Sequence, residues 1–313
     1  MKEWSVGVDV GGTYIKFACV DASGRLLEFH KIKTPVDSER AVMMDHIVDG
    51  IRHCAKIMKR EVQDVGIGVP GCVDFDKGFI HTLVNIPGWD DVPLADILKE
   101  KLGCRVFVDN DVNVMALGEL HFGAAKKGRN VIALTLGTGV GGALIIDTRL
   151  YRGSSTTAGE IGHMVVEKDG FPCNCGSWGC LERYVGNKYL VEQVEEAKDD
   201  FPNSILFHDD TLVITPIEIE KAALKGDTLA MSIWEIAGTY LGIVIAGLVN
   251  FVNPDIIVIG GGVALAGDLI LNPVRREIAS RSMKRPREAV QVLPAELGEN
   301  AGVIGAATLA MIS

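Results

Sequence analysis

At 313 residues with 48% apolar side chains, the chain is long enough for two domains or one large one and reads as a soluble globular protein. Thirty-one lysines and arginines against forty-one acidic residues leave a net charge of −10, which opposes non-specific association with nucleic acid or anionic membranes and favours small-molecule partners. Seven cysteines form an odd count, and four of them, Cys19, Cys54, Cys72 and Cys104, fall singly within strand or helix patterns, so no disulfide framework is implied.

The chain enters a strand pattern at once. From Trp4 to Lys33 three alternating apolar runs are separated by the turn signals GG and ASG, which predicts a β-meander. No basic start followed by an apolar signal core precedes it, so a cytoplasmic location is expected. The segment SERAVMMDHIVDGIRHCAKIMKR predicts a helix with Ser38 as N-cap and Met44, Ile47, Val48, Ile51, Ala55 and Met58 on one face. DVGIGVPG then reads as a buried strand, LADILKEKLG as a helix closed by Gly103, and CRVFVDN as another strand. Strands alternating with helices indicate an α/β layer fold.

In VFVDNDVNVMALGE, Asn110 and Asp111 stand where a strand ends and a helix begins. Asp111 either caps that helix or, at the carboxyl end of a strand where α/β sheets bind ligands, acts as a base. A domain boundary is placed near residue 110. This gives a smaller α/β domain over 1–110, to which a helix over 300–313 is expected to return, and a larger one over 111–299.

The second half opens with VIALTLGTGVGGALIID, which repeats the plan of SVGVDVGGTYIKFACVD: strand, glycine turn with a threonine, strand. We read a weak internal duplication. Gly137, Gly139 and Gly142 match GxGxxG, yet the dinucleotide fingerprint needs a helix after its glycines, and here a strand follows. No GxxxxGK[ST] occurs either. What remains is a pair of hairpin turns whose bare backbone N–H groups suit an anion, with hydroxyls from Thr13 and Thr138 and a carboxylate, Asp9, able to hold hydrated Mg²⁺. Each turn alone is also compatible with an ordinary glycine turn; a third glycine loop, Gly260 to Gly262, strengthens the anion reading.

His163, Cys173, Cys175 and Cys180 lie within HMVVEKDGFPCNCGSWGCLE. Three thiols and an imidazole fill a tetrahedral zinc site and leave no position for water, so the zinc is expected to be structural. The competing reading leaves the cysteines merely buried or redox-active. Glu160 and Glu182 bracket the cluster, either as solvated acids or as partners of a polyhydroxylated ligand, with the second nitrogen of His163 free to join them.

Further on, DTLAMSIWEIAGTYLGIVIAGLVNFVN predicts a long helix. Its most apolar part, Ala237 to Val252, falls short of the roughly 18–20 uninterrupted apolar residues of a spanning helix and is broken by Asn250, so it is expected to be buried. RREIASRSMKRPRE, with six basic residues, reads as a solvated helix face running into a loop, the alternative being an interaction patch. PDIIVIGGGVALAGDLILNPVRREI reads as strand, glycine loop and helix, and NAGVIGAATLAMI as a final helix.

Taken together, DVGGT, NIPGW at Asn85 to Trp89, DNDVN, LGTGVGGALI, GEIGH, CNCGSWGCLE and NPDIIVIGGG resemble the ROK family of repressors, open reading frames and sugar kinases. The resemblance implies an actin-like ATPase (ribonuclease H-like) fold, with two α/β domains closing on a cleft and a structural zinc loop. It implies transfer of the γ-phosphate of MgATP to a hexose hydroxyl, most simply that of glucose. Carried over residue by residue, it makes Asp111 the catalytic base and Asn85, Asn110, Glu160, His163 and Glu182 sugar-binding groups. Asp9, Gly11, Gly12 and Thr13, with Gly137, Thr138 and Gly139, become phosphate and metal contacts. Gly260, Gly261 and Gly262 lie near the nucleoside, and His163, Cys173, Cys175 and Cys180 hold zinc. Family members often carry lysine after GGT and glutamate before the ND pair, where this chain has Tyr14 and Asp109. The repressors resemble the kinases but add an N-terminal helix-turn-helix domain; with the first strand beginning near Met1, the enzyme is the expectation. Rival expectations are a kinase for N-acetylmannosamine, N-acetylglucosamine, fructose or allose, and a non-catalytic sugar sensor. A homodimer or larger assembly is also implied.

Overall fold

The computed structural model describes residues 2–36, 38–83, 86–209 and 211–313. The chain forms two compact units: the first comprises 1–133, 143–159 and 295–313, and the second 134–142 and 160–294. The first therefore extends past the boundary expected at residue 110.

The predicted meander forms β1 (Trp4–Val10), β2 (Tyr14–Asp21) and β3 (Leu26–Lys33). Next come α1 (Arg40–Met58), β4 (Asp64–Val69), the short hairpin β5 (Gly71–Asp74) and β6 (Phe79–Leu83), α2 (Leu94–Leu102), β7 (Arg105–Asn110) and α3 (Asp111–Phe122). The first sheet runs β3-β2-β1-β4-β7, antiparallel through the meander and parallel from β1 to β4 to β7. Alternation along the strands decides what each face meets. Val6, Val8, Ile15, Phe17 and Ile67 join Met43, Ile47, Ile51 and Leu98 in a core beneath α1 and α2.

One expected cap is corrected, and one open reading is decided. Helix α1 begins one residue later than its expected cap allows, with Glu39 at the N-cap and no side-chain capping bond, so Ser38 does not cap it. Helix α3 is capped by Asn110, whose side-chain oxygen accepts from the N–H groups of Val112 and Asn113, and Asp111 is its first helical residue. Gly103 closes α2 in the left-handed conformation, as expected.

The glycine turn expected after residue 136 joins β8 (Val131–Leu136) to β9 (Val140–Ile146), and β10 (Arg149–Tyr151) pairs antiparallel with β9. Then follow α4 (Glu182–Val185), α5 (Asn187–Glu196), α6 (Pro216–Leu224), α7 (Thr228–Val252), β11 (Ile256–Gly260), α8 (Asp268–Arg281), α9 (Lys284–Ala289) and β12 (Gln291–Pro294). The second sheet runs β10-β9-β8-β11-β12, the same order as the first, which gives the suspected duplication a structural form.

With 25 residues and a mean hydropathy of 1.7 over an 18-residue window, α7 is long and apolar enough to cross a membrane, longer than the apolar stretch picked out from the sequence. Half of that apolar window is buried inside the protein, and α7 packs chiefly on α8, as in a core helix. The basic run is the outer face of α8 and α9. Arg275 pairs with Asp268, Arg276 with Glu235, and Arg281 with Glu277.

The last helix, α10 (Ala301–Ile312), returns to the first unit. Val303, Ile304, Ala307 and Met311 pack on Ala18 and Val20, and Ala306 and Leu309 on Val114 and Leu117 of α3, covering the sheet face opposite α1. Glu119, wholly buried on α3, ties down the approach to α10 by accepting from the N–H groups of Glu296 and Leu297 at 3.0 and 2.9 Å.

Candidate functional site

In the first unit the residues of interest gather at the carboxyl ends of the parallel strands. Asp9 pairs in register with Gly68, and Gly68 with Asp109. Asp9 and Asp109 thus stand in one row, two strand spacings or about 9–10 Å apart. Beyond Asp9, Gly11 N–H bonds to Tyr14 O at 3.0 Å and closes the turn, while Thr34 donates its hydroxyl to Gly11 O at 2.6 Å. Gly12 and Thr13 are exposed there. Lys16, opposite Asp9 across the hairpin, brings its Nζ to 3.8 Å from Asp9 Oδ2. It places a cation two residues after Tyr14, and sequence reading missed it. Burial raises the Asp9 carboxyl above its ordinary value, and Lys16 pulls it the other way.

At the end of β7, three neighbouring residues have different tasks. Asp109 is buried, and its Oδ1 accepts from Asn110 N–H and from Asn113 Nδ2, both at 2.8 Å. Its Oδ2 accepts two bonds from Arg152, from Nε at 2.8 Å and Nη2 at 2.6 Å. The Arg152 guanidinium lies 3.7 Å from the Phe75 ring centroid, a cation–π contact that fixes the fork. Asn110 caps α3 with Oδ1 and donates Nδ2 to Gly71 O at 3.2 Å, leaving one amide hydrogen for a ligand. Asp111 accepts from Val112 N–H at 2.9 Å and is half-buried at the start of the helix. Arg152 lies 43 residues from its partner, and no local signal in the sequence joins the two.

In the second unit the β8–β9 turn is closed by Gly137 N–H to Gly139 O at 2.9 Å and held by Asn187 N–H to Gly137 O at 2.8 Å, with Thr138 exposed at its tip. A Cβ on Gly261 would lie 2.3 Å from Leu136 O, so the Gly260 to Gly262 loop packs directly against the end of β8. A Cβ on Gly139 would lie 2.4 Å from Glu182 Oε2, which brings that carboxylate onto the same turn. Glycine is required at Gly261, which has a φ of +90° and meets backbone atoms.

The candidate metal ligands converge. Nδ1 or Nε2 of His163 and the sulfurs of Cys173, Cys175 and Cys180 lie within 4.8 Å of one another. Cys175 and Cys180 are 3.6 Å apart, and His163 Nδ1 is 3.7 Å from Cys173 Sγ. A tetrahedral zinc with bonds near 2.3 Å sets its sulfurs about 3.8 Å apart, so the donor set and its spacing fit zinc. Burial pushes the Cys173 thiol up to about 12, while a backbone hydrogen bond from Ser177 holds Cys175 below its ordinary value. With Nδ1 turned to the thiols, His163 Nε2 faces outward, 3.9 Å from Glu160 Oε2. Glu182 Oε1 lies 3.8 Å from His163 Nδ1 and 3.2 Å from Cys173 Sγ. Glu160, His163 and Glu182 therefore cluster, as the spacing suggested. Asn85 lies outside the described residues.

Comparison with known proteins identifies the family. The chain is 38% identical over 308 residues to a glucokinase of Halalkalibacterium halodurans, covering 96% of this chain and 93% of that protein. It is 30% identical to a xylose repressor of Bacillus spizizenii, covering 98% of this chain and 76% of the repressor. A ROK family glucokinase from Streptomyces griseus, solved in complex with glucose and AMPPNP, superposes with a TM-score of 0.85 at 35% identity, covering 99% of this chain and all of that one. Such ROK sugar kinases have the actin-like ATPase fold with two α/β domains, which is the fold of this protein. With residues 5–312 matching the family pattern throughout, the chain belongs to the ROK family.

Proposed function

We propose that the protein is an ATP-dependent glucokinase, a phosphotransferase that moves the γ-phosphoryl group of ATP to an alcohol oxygen, the 6-hydroxyl of D-glucose. The observation that carries this reading is the half-exposed carboxylate of Asp111, set at the sheet edge that also bears the Asp9 glycine turn, in a chain 38% identical to a glucokinase.

Phosphoryl transfer asks little covalent chemistry of a protein; it needs a base at the attacking oxygen, fixed positions and compensation of phosphate charge. Asp111 takes the proton of the sugar hydroxyl. Asn110 offers its remaining amide hydrogen to the sugar, and the Asp109–Arg152 pair holds the backbone that carries both. In the second unit, Glu160, Glu182 and His163 Nε2 accept and donate to sugar hydroxyls, with Asn85 as a further contact. Backbone N–H groups of the Gly11 to Thr13 and Gly137 to Gly139 turns, with the hydroxyls of Thr13 and Thr138, bind phosphate oxygens, and Gly260 to Gly262 flank the nucleoside. Asp9 is the group to hold Mg²⁺ through water, and Lys16 adds positive charge beside it. Bound there, Mg²⁺ supplies neutralisation of the charge that develops on the phosphates. Zinc held by His163 Nδ1, Cys173, Cys175 and Cys180 would be structural, since its four ligands leave no open position. On this reading the enzyme works in the cytoplasm as a homodimer or larger assembly.

A coupled assay of ADP release with MgATP, across hexoses and N-acetylhexosamines, tests the proposal. Glucose-dependent ADP formation is expected. Turnover with an N-acetylhexosamine but not glucose would change the substrate, and sugar binding without ADP release would make the chain a sensor of the repressor kind.

A further inference from the structure

The first unit carries a second convergence of metal-binding side chains, far in sequence from the cysteines and unused by the proposed reaction. Glu28 and His30 are two residues apart on β3 and so project from the same face, the one beneath α1. His53 comes from α1, and the ligand atoms of the three residues lie within 4.8 Å of one another.

Three details distinguish this cluster from a chance meeting of polar groups. The rings of His30 and His53 have centroids 4.5 Å apart and planes inclined at 70°. Two imidazoles bound side by side to one six-coordinate ion, with bonds of about 2.0–2.1 Å, have centroids about 4.5 Å apart. His30 Nδ1 is buried without a hydrogen-bond partner among the described residues, a condition that native structures rarely leave uncompensated. Phe17 stacks on the His30 ring at 4.7 Å and 6°, which fixes the direction in which its nitrogens point. Cys54, next to His53, is turned into the core, so the surface donor set contains nitrogen and oxygen only.

We propose that Glu28, His30 and His53 form a second metal site, suited to a borderline divalent transition-metal ion such as Zn²⁺, Co²⁺ or Ni²⁺, with water in the remaining positions. An ion there clips the edge strand β3 to α1. It supports the first unit and takes no part in phosphoryl transfer, so the inference stands independently of the proposed activity.

Titration of the intact, zinc-loaded protein with Ni²⁺ by calorimetry, and with Co²⁺ by absorption spectroscopy, decides the matter. One additional equivalent is expected to bind and to raise the melting temperature, and the Co²⁺ spectrum should show ligand-field bands without thiolate-to-metal charge transfer. His53 is exposed, so His53→Ala should fold normally and weaken Ni²⁺ binding by more than about tenfold, with a smaller loss in Glu28→Gln. The proposal falls if the wild type binds no additional equivalent, if His53→Ala binds Ni²⁺ as tightly as the wild type, or if Co²⁺ shows thiolate charge transfer.

Discussion

The two sheets share one strand order, but the groups at their ends are held by opposite means. At the end of β7, Asp109, Asn110 and Asp111 occupy consecutive positions of a strand, a cap and a helix, backed by a buried ion pair. Between His163 and Cys180 the chain has almost no regular structure, with two isolated bridges, Val165 to Cys180 and Pro172 to Trp178, between irregular segments. A strand-to-helix junction aims its side chains through backbone geometry alone. An irregular loop lacks that constraint, so the four convergent soft ligands there are best understood as the means of fixing it.

The largest expected effect tests the first region. Asp111→Asn should lower kcat by about 10²–10⁴-fold while leaving glucose affinity within a few-fold, measured by ADP release and by calorimetric glucose binding. Unchanged turnover would show that the base lies elsewhere. The second region should fail differently. Cys180→Ser is expected to cost more than about 100-fold in zinc affinity and to open the segment around 164–181 to proteolysis, with the melting of the first unit preserved. Loss of both regions together on metal removal would show that the strand-to-helix junction also depends on the ion. Arg152→Met leaves Asp109 buried without its cation and should destabilise the protein by about 3–5 kcal/mol in denaturant melts, whereas Asp109→Asn combined with Arg152→Met should recover part of the loss. Asn110→Ala removes the cap of α3 and should cost about 1 kcal/mol, besides weakening sugar binding.

The smallest effect concerns Asp9. Because burial favours its neutral form, stability contributed at low pH is lost as pH rises from its ordinary value of 3.8 through the raised folded-state value. Asp9→Asn, without nucleotide or Mg²⁺, should therefore melt a few degrees above wild type at pH 7, with the gap closing on acidification, although its turnover falls. A lower melting temperature at pH 7 would mean that attraction to Lys16 outweighs desolvation.

Local pattern carried much of this structure. The meander, the glycine turns, the long apolar helix and the four metal ligands could be read directly, because strand alternation, turn chemistry and ligand spacing are properties of neighbouring residues. Capping was less legible: Ser38 and Asp111 are both good capping types, yet one residue in register gives the positions to Glu39 and Asn110. The partnerships that tune the candidate site were not legible at all. Arg152 meeting Asp109, Lys16 facing Asp9, Glu182 reaching the Gly139 turn and His53 meeting His30 all join residues separated along the chain. Neighbouring residues already specify the elements and the chemical types available at their ends, since these follow from short-range sterics and hydrogen bonding. Which charge neutralises which was settled by folding, because those energies depend on distances that exist only once the sheets are formed and packed.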